Sequence, residues 1–302
     1  MQVKRSSIIE FRERFSSKEK CEKFLLDEKT TNGFQCNRCG NDTYLKGYNT
    51  YDIRCKKCKY NESPSSNTLF HSCKLSLPIA FEMVYRISVN KKGMSALGLC
   101  REYDINPKTA NNFKRKVQFS MESSGASPLS VLIQVDEFMY GGKDEGCQGR
   151  SSKSDKLKIC LALEIIEGKK NKMGRAYAVS IENFSNEELS KIFDKHIDSK
   201  AKIITDKWTG YVPLKAKYNI EQILPDSGKN FPELHVLILN IKNWIRGIHH
   251  KISKKHLQKY LNEFFFRFNR RTFLSQMPIF ALKRMTQNKP KPVILSVCGF
   301  YG

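Results

Sequence analysis

Apolar positions along the chain follow two periods, and the change from one to the other divides it. From residue 1 to about 33 ("FRERFSSKEKCEKFLLDE"), aromatic and aliphatic residues recur every three or four positions among charges, the spacing of a helix with one buried face. Short polar runs around paired cysteines fill the next stretch, to residue 75. Helical spacing returns from 76 to 122, and "MESSGASPLS" (121–130) reads as a linker. Beyond it the period shortens. "VLIQVDEFMYGG", "KLKICLALEII" and "RAYAVSIEN" have strand composition with turns between them. "SNEELSKIFDKHI" is then a helix, with Ser185 as N-cap and Glu188 three residues on. "AKIITDKWTGY" is a fourth strand, the remainder is largely helical to about 287, and 288–302 is a tail. The pattern predicts a multidomain α+β protein, with boundaries at 1–75, 76–122, 131–287 and 288–302.

Charge changes the picture most. The 302 residues carry 53 Lys+Arg against 30 Asp+Glu, a formal net charge of +23. A chain this basic repels itself unless it meets a polyanion, and nucleic acid is the commonest one. A membrane surface is the competing polyanion. No apolar run reaches the ~18 residues of a membrane span, and "MQVKRSSIIEFRERF" lacks a signal peptide's apolar segment. The expectation is a soluble cytoplasmic protein that binds DNA or RNA.

Four of the ten cysteines stand in tight pairs, "CNRC" (36–39) and "CKKC" (55–58), with fifteen residues between them. Two such knuckles set four thiolates tetrahedrally around Zn²⁺, so Cys36, Cys39, Cys55 and Cys58 are expected to hold a structural zinc in a ribbon. No position is left for water. Lys46, Arg54, Lys56, Lys57 and Lys59 make the ribbon basic. The remaining cysteines are scattered, as small buried hydrophobes are in a reducing compartment.

"KGMSALGLCREYDINPKTANNFKRKVQ" reads as a helix-turn-helix. One helix runs near Met94 to Tyr103 and "DIN" makes the turn. Asn106 caps a second helix opened by Pro107, whose missing N–H costs nothing there. That helix is expected to expose Lys108, Thr109, Asn111, Asn112, Lys114 and Arg115, side chains suited to base edges and phosphates. An ordinary helical hairpin with a solvated basic face is the other reading.

Asp136 lies inside the apolar strand "VLIQVDEF", and Asp206 ends "KIITD". A carboxylate in such a run must be paired, metal-bound or facing a cleft, because burying it bare is expensive. Two strand-borne aspartates separated by a hairpin, a strand and a helix fit an RNase H-like α/β catalytic domain, where neighbouring strands hold two divalent ions. Glu137, next along the strand, points to the opposite face, which favours a supporting role.

At these residues the sequence resembles the bacterial insertion-sequence transposases related to the eukaryotic Merlin elements, of the DDE type. The resemblance covers nearly the whole chain. It rests on the paired cysteines, "GMSALGLCREYDINPKTA", "VDEFMYGGK" with "GR" at 149–150, "TDKWTGY", and above all "WIRGIHHKISKKHLQKYLNEFFFRFNRR". It implies that Asp136 and Asp206 are the first two catalytic metal ligands. It further implies a third ligand on a helix, seven residues before a basic side chain. Seven before Lys242 stands His235, so the set becomes Asp136, Asp206 and His235 with Lys242 following. Glu233, the only nearby carboxylate and about 200° round the helix from His235, is one alternative, and a merely structural His235 is the other.

The function so implied is transposition of an insertion sequence. The protein would bind terminal inverted repeats and target DNA, assemble as a homo-oligomer on DNA at the nucleoid, and use two Mg²⁺ or Mn²⁺ ions for strand cleavage and strand transfer. Residues 240 to 290 hold twelve Lys/Arg and a single acid, Glu263. Arg246, His249 and His250 are therefore expected on DNA, and His256 either on phosphate or at a helix cap. A non-catalytic DNA-binding regulator and an RNase H-like nuclease are the competing functions.

Overall fold

The computed structural model describes residues 7–31, 33–141, 156–224, 226, 229–248 and 252–290. Serine caps open the chain: Ser7 and Ser17 accept the free N–H groups of α1 (Ile8–Arg14) and α2 (Lys18–Thr30). Both bury phenylalanines against α3 (Leu77–Val89), which is apolar nearly all round. Phe81 is fully buried at the centre, edge-on to Phe15 and Phe24. Truncating such a ring costs about 3–5 kcal/mol.

Between α2 and α3 lies a small antiparallel sheet, β1 (Tyr44–Lys46), β2 (Ile53–Cys55) and β3 (Asn61–Glu62). Lys29 of α2 ties it down, reaching Glu62 at 2.6 Å and the carbonyls of Ser63 and Ser66. After α3 come α4 (Ala96–Tyr103) and α5 (Pro107–Ser120), joined by a turn with Asp104 in the left-handed region. The Asn106 side chain accepts the Lys108 N–H, as the sequence requires.

The larger sheet runs β6-β5-β4-β7-β8. Its strands are β4 (Leu132–Tyr140), β5 (Leu157–Ile166), β6 (Lys172–Ile181), β7 (Lys202–Thr205) and β8 (Asn219–Gln222). The first three are antiparallel, while β4, β7 and β8 run parallel. Apolar side chains leave both faces, so helices cover both. On one face Phe138, Leu161 and Leu163 meet α7 (Pro232–Ile248) and α8 (Lys254–Phe268). On the other, Ile133, Val135 and Cys160 meet α6 (Asn186–His196). Two departures from the sequence reading lie here. The fourth strand ends at Thr205 and gives way to 3-10 turns through Ala216, and β8 follows where helix was expected.

The edge strand β6 is sealed by side chains of and just after α8. Asn269 gives and takes hydrogen bonds at Ala176 (2.8 Å each), and Gln258 does the same at Ser180 (2.9 Å) and Ala178 (3.2 Å).

The last helix, α9 (Met277–Gln287), leaves the sheet and packs into the N-terminal helical core with Met277, Ala281, Leu282 and Met285. A buried polar knot joins the two regions a second time. Glu263 of α8, fully buried, accepts from Gln118 at 2.7 Å and lies 3.8 Å from Lys114 and 3.6 Å from Arg267. Removing one partner of such a knot costs about 3–5 kcal/mol, because the other charges are left uncompensated. Gly93 completes the contact. Its φ is +78°, and a Cβ there would come 2.7 Å from Ile248 and 3.1 Å from the Trp244 indole of α7.

Lys114 therefore corrects an expectation. It sits on the Ala110, Phe113, Val117 stripe of α5, only 3% exposed, and donates to the Met94 carbonyl rather than facing DNA.

Candidate functional site

Strands β4 and β7 pair only over Leu132–Gln134 and Lys202–Ile204. β7 then stops while β4 continues, which opens a crevice at the carboxyl end of the parallel pair, where open α/β sheets place their ligands. Asp136 and Glu137 stand on β4 just past the last pairing, and Asp206 follows the last residue of β7.

Local hydrogen bonds fix these carboxylates. Asp206 Oδ1 accepts the Trp208 N–H at 3.0 Å, and the Asp206 carbonyl accepts from Thr205 (2.9 Å) and from Gln222 of β8 (3.0 Å). Asp136 Oδ1 accepts the Glu137 N–H at 2.8 Å. Its Oδ2 lies 3.5 Å from His235 Nε2. Asp136, Glu137 and Asp206 each bring an oxygen within 4.8 Å of the others. Opposite ligands of Mg²⁺ are about 4 Å apart, so the three oxygens stand near coordinating distance. Three carboxylates this close repel without a cation, and the donor set is the hard-oxygen kind that Mg²⁺ and Mn²⁺ take.

Glu137 is the residue the sequence reading placed too far off. Strand alternation does send it to the other face, beside the buried Tyr211, which burial and then the Cys160 and Glu137 charges hold well above the usual phenol range. The Glu137 carboxylate nevertheless joins those of Asp136 and Asp206 in one cluster.

α7 supplies the opposite wall. Leu234, Leu237, Ile238, Ile241, Trp244 and Ile245 bury one face, which leaves His235, Lys242 and Arg246 along a flank at i, i+7 and i+11. The His235 side chain is 38% exposed. Lys242 Nζ lies 5.4 Å over the ring of Phe138, two residues beyond Asp136 and on the same face of β4. Arg246 is exposed. Glu233 lies in the first turn of α7, and neither it nor His235 is part of the three-carboxylate cluster.

The second cluster is sulfur. Cys36 and Cys58 Sγ are 3.6 Å apart, as are Cys39 and Cys55, and all four atoms lie within 4.8 Å of one another. Zn–S bonds of about 2.3 Å at tetrahedral angles need roughly 3.8 Å, so the four fit a zinc ion. The two knuckles repeat one backbone. The residue after the second cysteine, Gly40 or Lys59, has positive φ and donates its N–H to the carbonyl of the first cysteine. Burial works against the Cys55 thiolate, but the N–H groups of Cys58 and Lys57 outweigh it and lower the thiol to about 6.

Of the residues expected on DNA, Lys108 is exposed, and Thr109, Asn111, Asn112 and Arg115 are half-buried. Arg115 meets His256 of α8 at 3.1 Å. His249 and His250 lie outside the described residues. Among those described, no helix is long and apolar enough to cross a membrane.

Residues 128–269, from just before β4 to just past α8, match the family described as ISXO2-like transposase domain. No curated protein matches the chain.

Proposed function

From the premise that residues 128–269 carry an insertion-sequence DDE transposase domain, we propose that this protein binds the terminal inverted repeats of its element and cuts and joins its strands. The supporting observation is the meeting of the Asp136, Glu137 and Asp206 carboxylates at one crevice, with His235 of α7 at 3.5 Å from Asp136. The antiparallel-then-parallel order of the sheet supports an RNase H-like reading of this domain.

Asp136, Asp206 and His235 would hold two divalent ions, Mg²⁺ or Mn²⁺. Such a pair, when bound, activates an attacking oxygen and stabilises a leaving one in an in-line displacement at phosphorus. The residues do the placing. Asp136, locked by the Glu137 N–H, and Asp206, locked by Trp208 and Gln222, fix one side of the site. His235 closes the other side with a neutral ligand, which lowers the negative charge of the site by one and favours Mn²⁺ relative to Mg²⁺. Lys242 and Arg246 extend the same flank of α7 and would position DNA phosphates beside the scissile bond. Water is the first nucleophile and the freed 3′-hydroxyl the second, so no covalent enzyme intermediate is required. The ribbon and α4–α5 would bind the repeats, and two copies would hold two ends.

Cleavage of a repeat-end duplex by His235→Ala and Glu233→Gln proteins tests the assignment. Cleavage should vanish in His235→Ala with end binding intact, and persist in Glu233→Gln. The reverse pattern moves the third ligand to Glu233.

A further inference from the structure

Away from the acid crevice, a cavity of about 220 Å³ lies where β6, α6, α8 and α9 meet. Arg270, just past α8, and Arg284 of α9 stand over one ring, Phe266, at 4.1 and 5.6 Å from its centroid. Their hydrogen bonds go to main-chain carbonyls: Arg270 to Phe266, and Arg284 to Ser120 and Glu122. Neither guanidinium pairs with a carboxylate among the described residues. Glu122, the one acid of the lining, is engaged by Lys195 at 2.8 Å, and Lys191 is paired with Glu188. The two guanidiniums are thus the cations of the lining left without a carboxylate partner among the described residues. Burial, and then the charge of Arg284, lower Arg270 to about 10. Two like charges held together in a recess cost stability unless an anion offsets them.

The inner wall carries an independent sign of a ligand. His196 is 5% exposed and stacks on Tyr177, with centroids 4.2 Å apart, and its Nδ1 is buried without a hydrogen-bond partner. Buried polar atoms are nearly always satisfied, so this nitrogen asks for a partner from outside the chain. Two guanidinium forks, an imidazole N–H and the Lys195 ammonium are the donors a tetrahedral oxyanion uses. At about 220 Å³ the recess has room for a phosphoryl group and a few waters at about 30 Å³ each, and it adjoins a second recess that shares Lys195 and Arg284.

We propose that this cavity is a phosphate-binding site in which Arg270, Arg284 and His196 donate to one phosphoryl group, with Lys195 at the mouth. The group is the same whether it belongs to a DNA strand or is free inorganic phosphate. The site is separate from the acid cluster and does not depend on the cleavage reading.

The test titrates inorganic phosphate into the full-length protein at constant ionic strength, with chloride as control anion, read by calorimetry and by the nitrogen shifts of the histidine rings. One saturable site should appear and move His196. Affinity should fall about tenfold in Arg270→Gln and in Arg284→Gln, the loss of one charge-assisted hydrogen bond. Lys195→Gln alters an exposed position, so it tests the mouth even if an arginine variant fails to fold, and it too should weaken binding. No His196 shift in the folded wild-type protein, or undiminished affinity in the folded variants, overturns the proposal. Competition by a 5′-phosphorylated oligonucleotide but not by its unphosphorylated twin would assign the site to a strand end. Competition by both would assign it to the backbone, and by neither to free phosphate. His235→Ala should bind phosphate normally, which separates a failure here from a failure of the cleavage assignment.

Discussion

Around the four thiols the chain closes on itself, whereas around the three carboxylates it opens. The sulfur cluster sits between two knuckles with the same backbone turn, with Cys36 and Cys55 buried, Cys58 half-buried and Cys39 at the surface. Four protein ligands exhaust a tetrahedral ion, so nothing can enter and nothing can react. The carboxylates come from strands that have just parted, and a half-exposed histidine faces them across a gap. That geometry leaves positions for water and for a phosphodiester. Ligand chemistry agrees, since four thiolates suit zinc and a cluster of carboxylates suits Mg²⁺ or Mn²⁺. The ribbon has little else to hold it, because Ile53 is nearly its only buried aliphatic side chain. In isolated fingers a structural zinc supplies about 10–16 kcal/mol. The crevice, by contrast, rests on a sheet with a core on each face.

The contrast can be broken by exchange of function. Asp206→Asn should lower strand cleavage by roughly 10³-fold, the several kcal/mol that bound cations contribute to a phosphoryl transition state. Zinc content and thermal midpoint should stay as in the parent, and a large fall in the midpoint would make Asp206 a structural residue. Cys55→Ser should do the opposite. Elemental analysis should find the zinc gone and gel shifts should find end binding weakened by about tenfold or more, as a lost positioning module implies. The far-ultraviolet signal of the sheet domain should remain, and cleavage of non-specific DNA should persist. Zinc retained in Cys55→Ser would mean that the four thiols do not act as one site. The smallest change sharpens rather than breaks the contrast. His235→Glu keeps a ligand but restores a charge, so the ratio of Mg²⁺- to Mn²⁺-supported cleavage should rise a few-fold, about 1 kcal/mol. A ratio unchanged by the substitution would put the imidazole outside the coordination shell.

Much of this was legible because it is local. Spacing alone reveals the cysteine knuckles, and Asn106–Pro107 announces the start of α5. The burial of Lys114 is not local, since its partner Glu263 stands on α8, far along the chain. A lysine among polar neighbours reads as surface until that helix is in place. The signal that was there is its place on the apolar stripe Ala110, Phe113, Val117. β8 escaped notice because four residues with one buried side chain have no readable period. Glu137 was assigned its face correctly by alternation, but its proximity to Asp206, just past the end of β7, is something no strand pattern records.

The sealed edge of β6 has a consequence in time. Its carbonyl and amide groups at Ala176, Ala178 and Ser180 are matched by Gln258 and Asn269, which lie 78 to 93 residues further along the chain. A ribosome adding about 5–20 residues per second needs roughly 4–19 s to deliver them. For that interval the nascent chain carries a ten-residue strand with one open side, the form in which neighbouring chains on a polysome add to one another. Slower translation of the segment that encodes α8 would lengthen the exposure without altering a single residue of the finished protein.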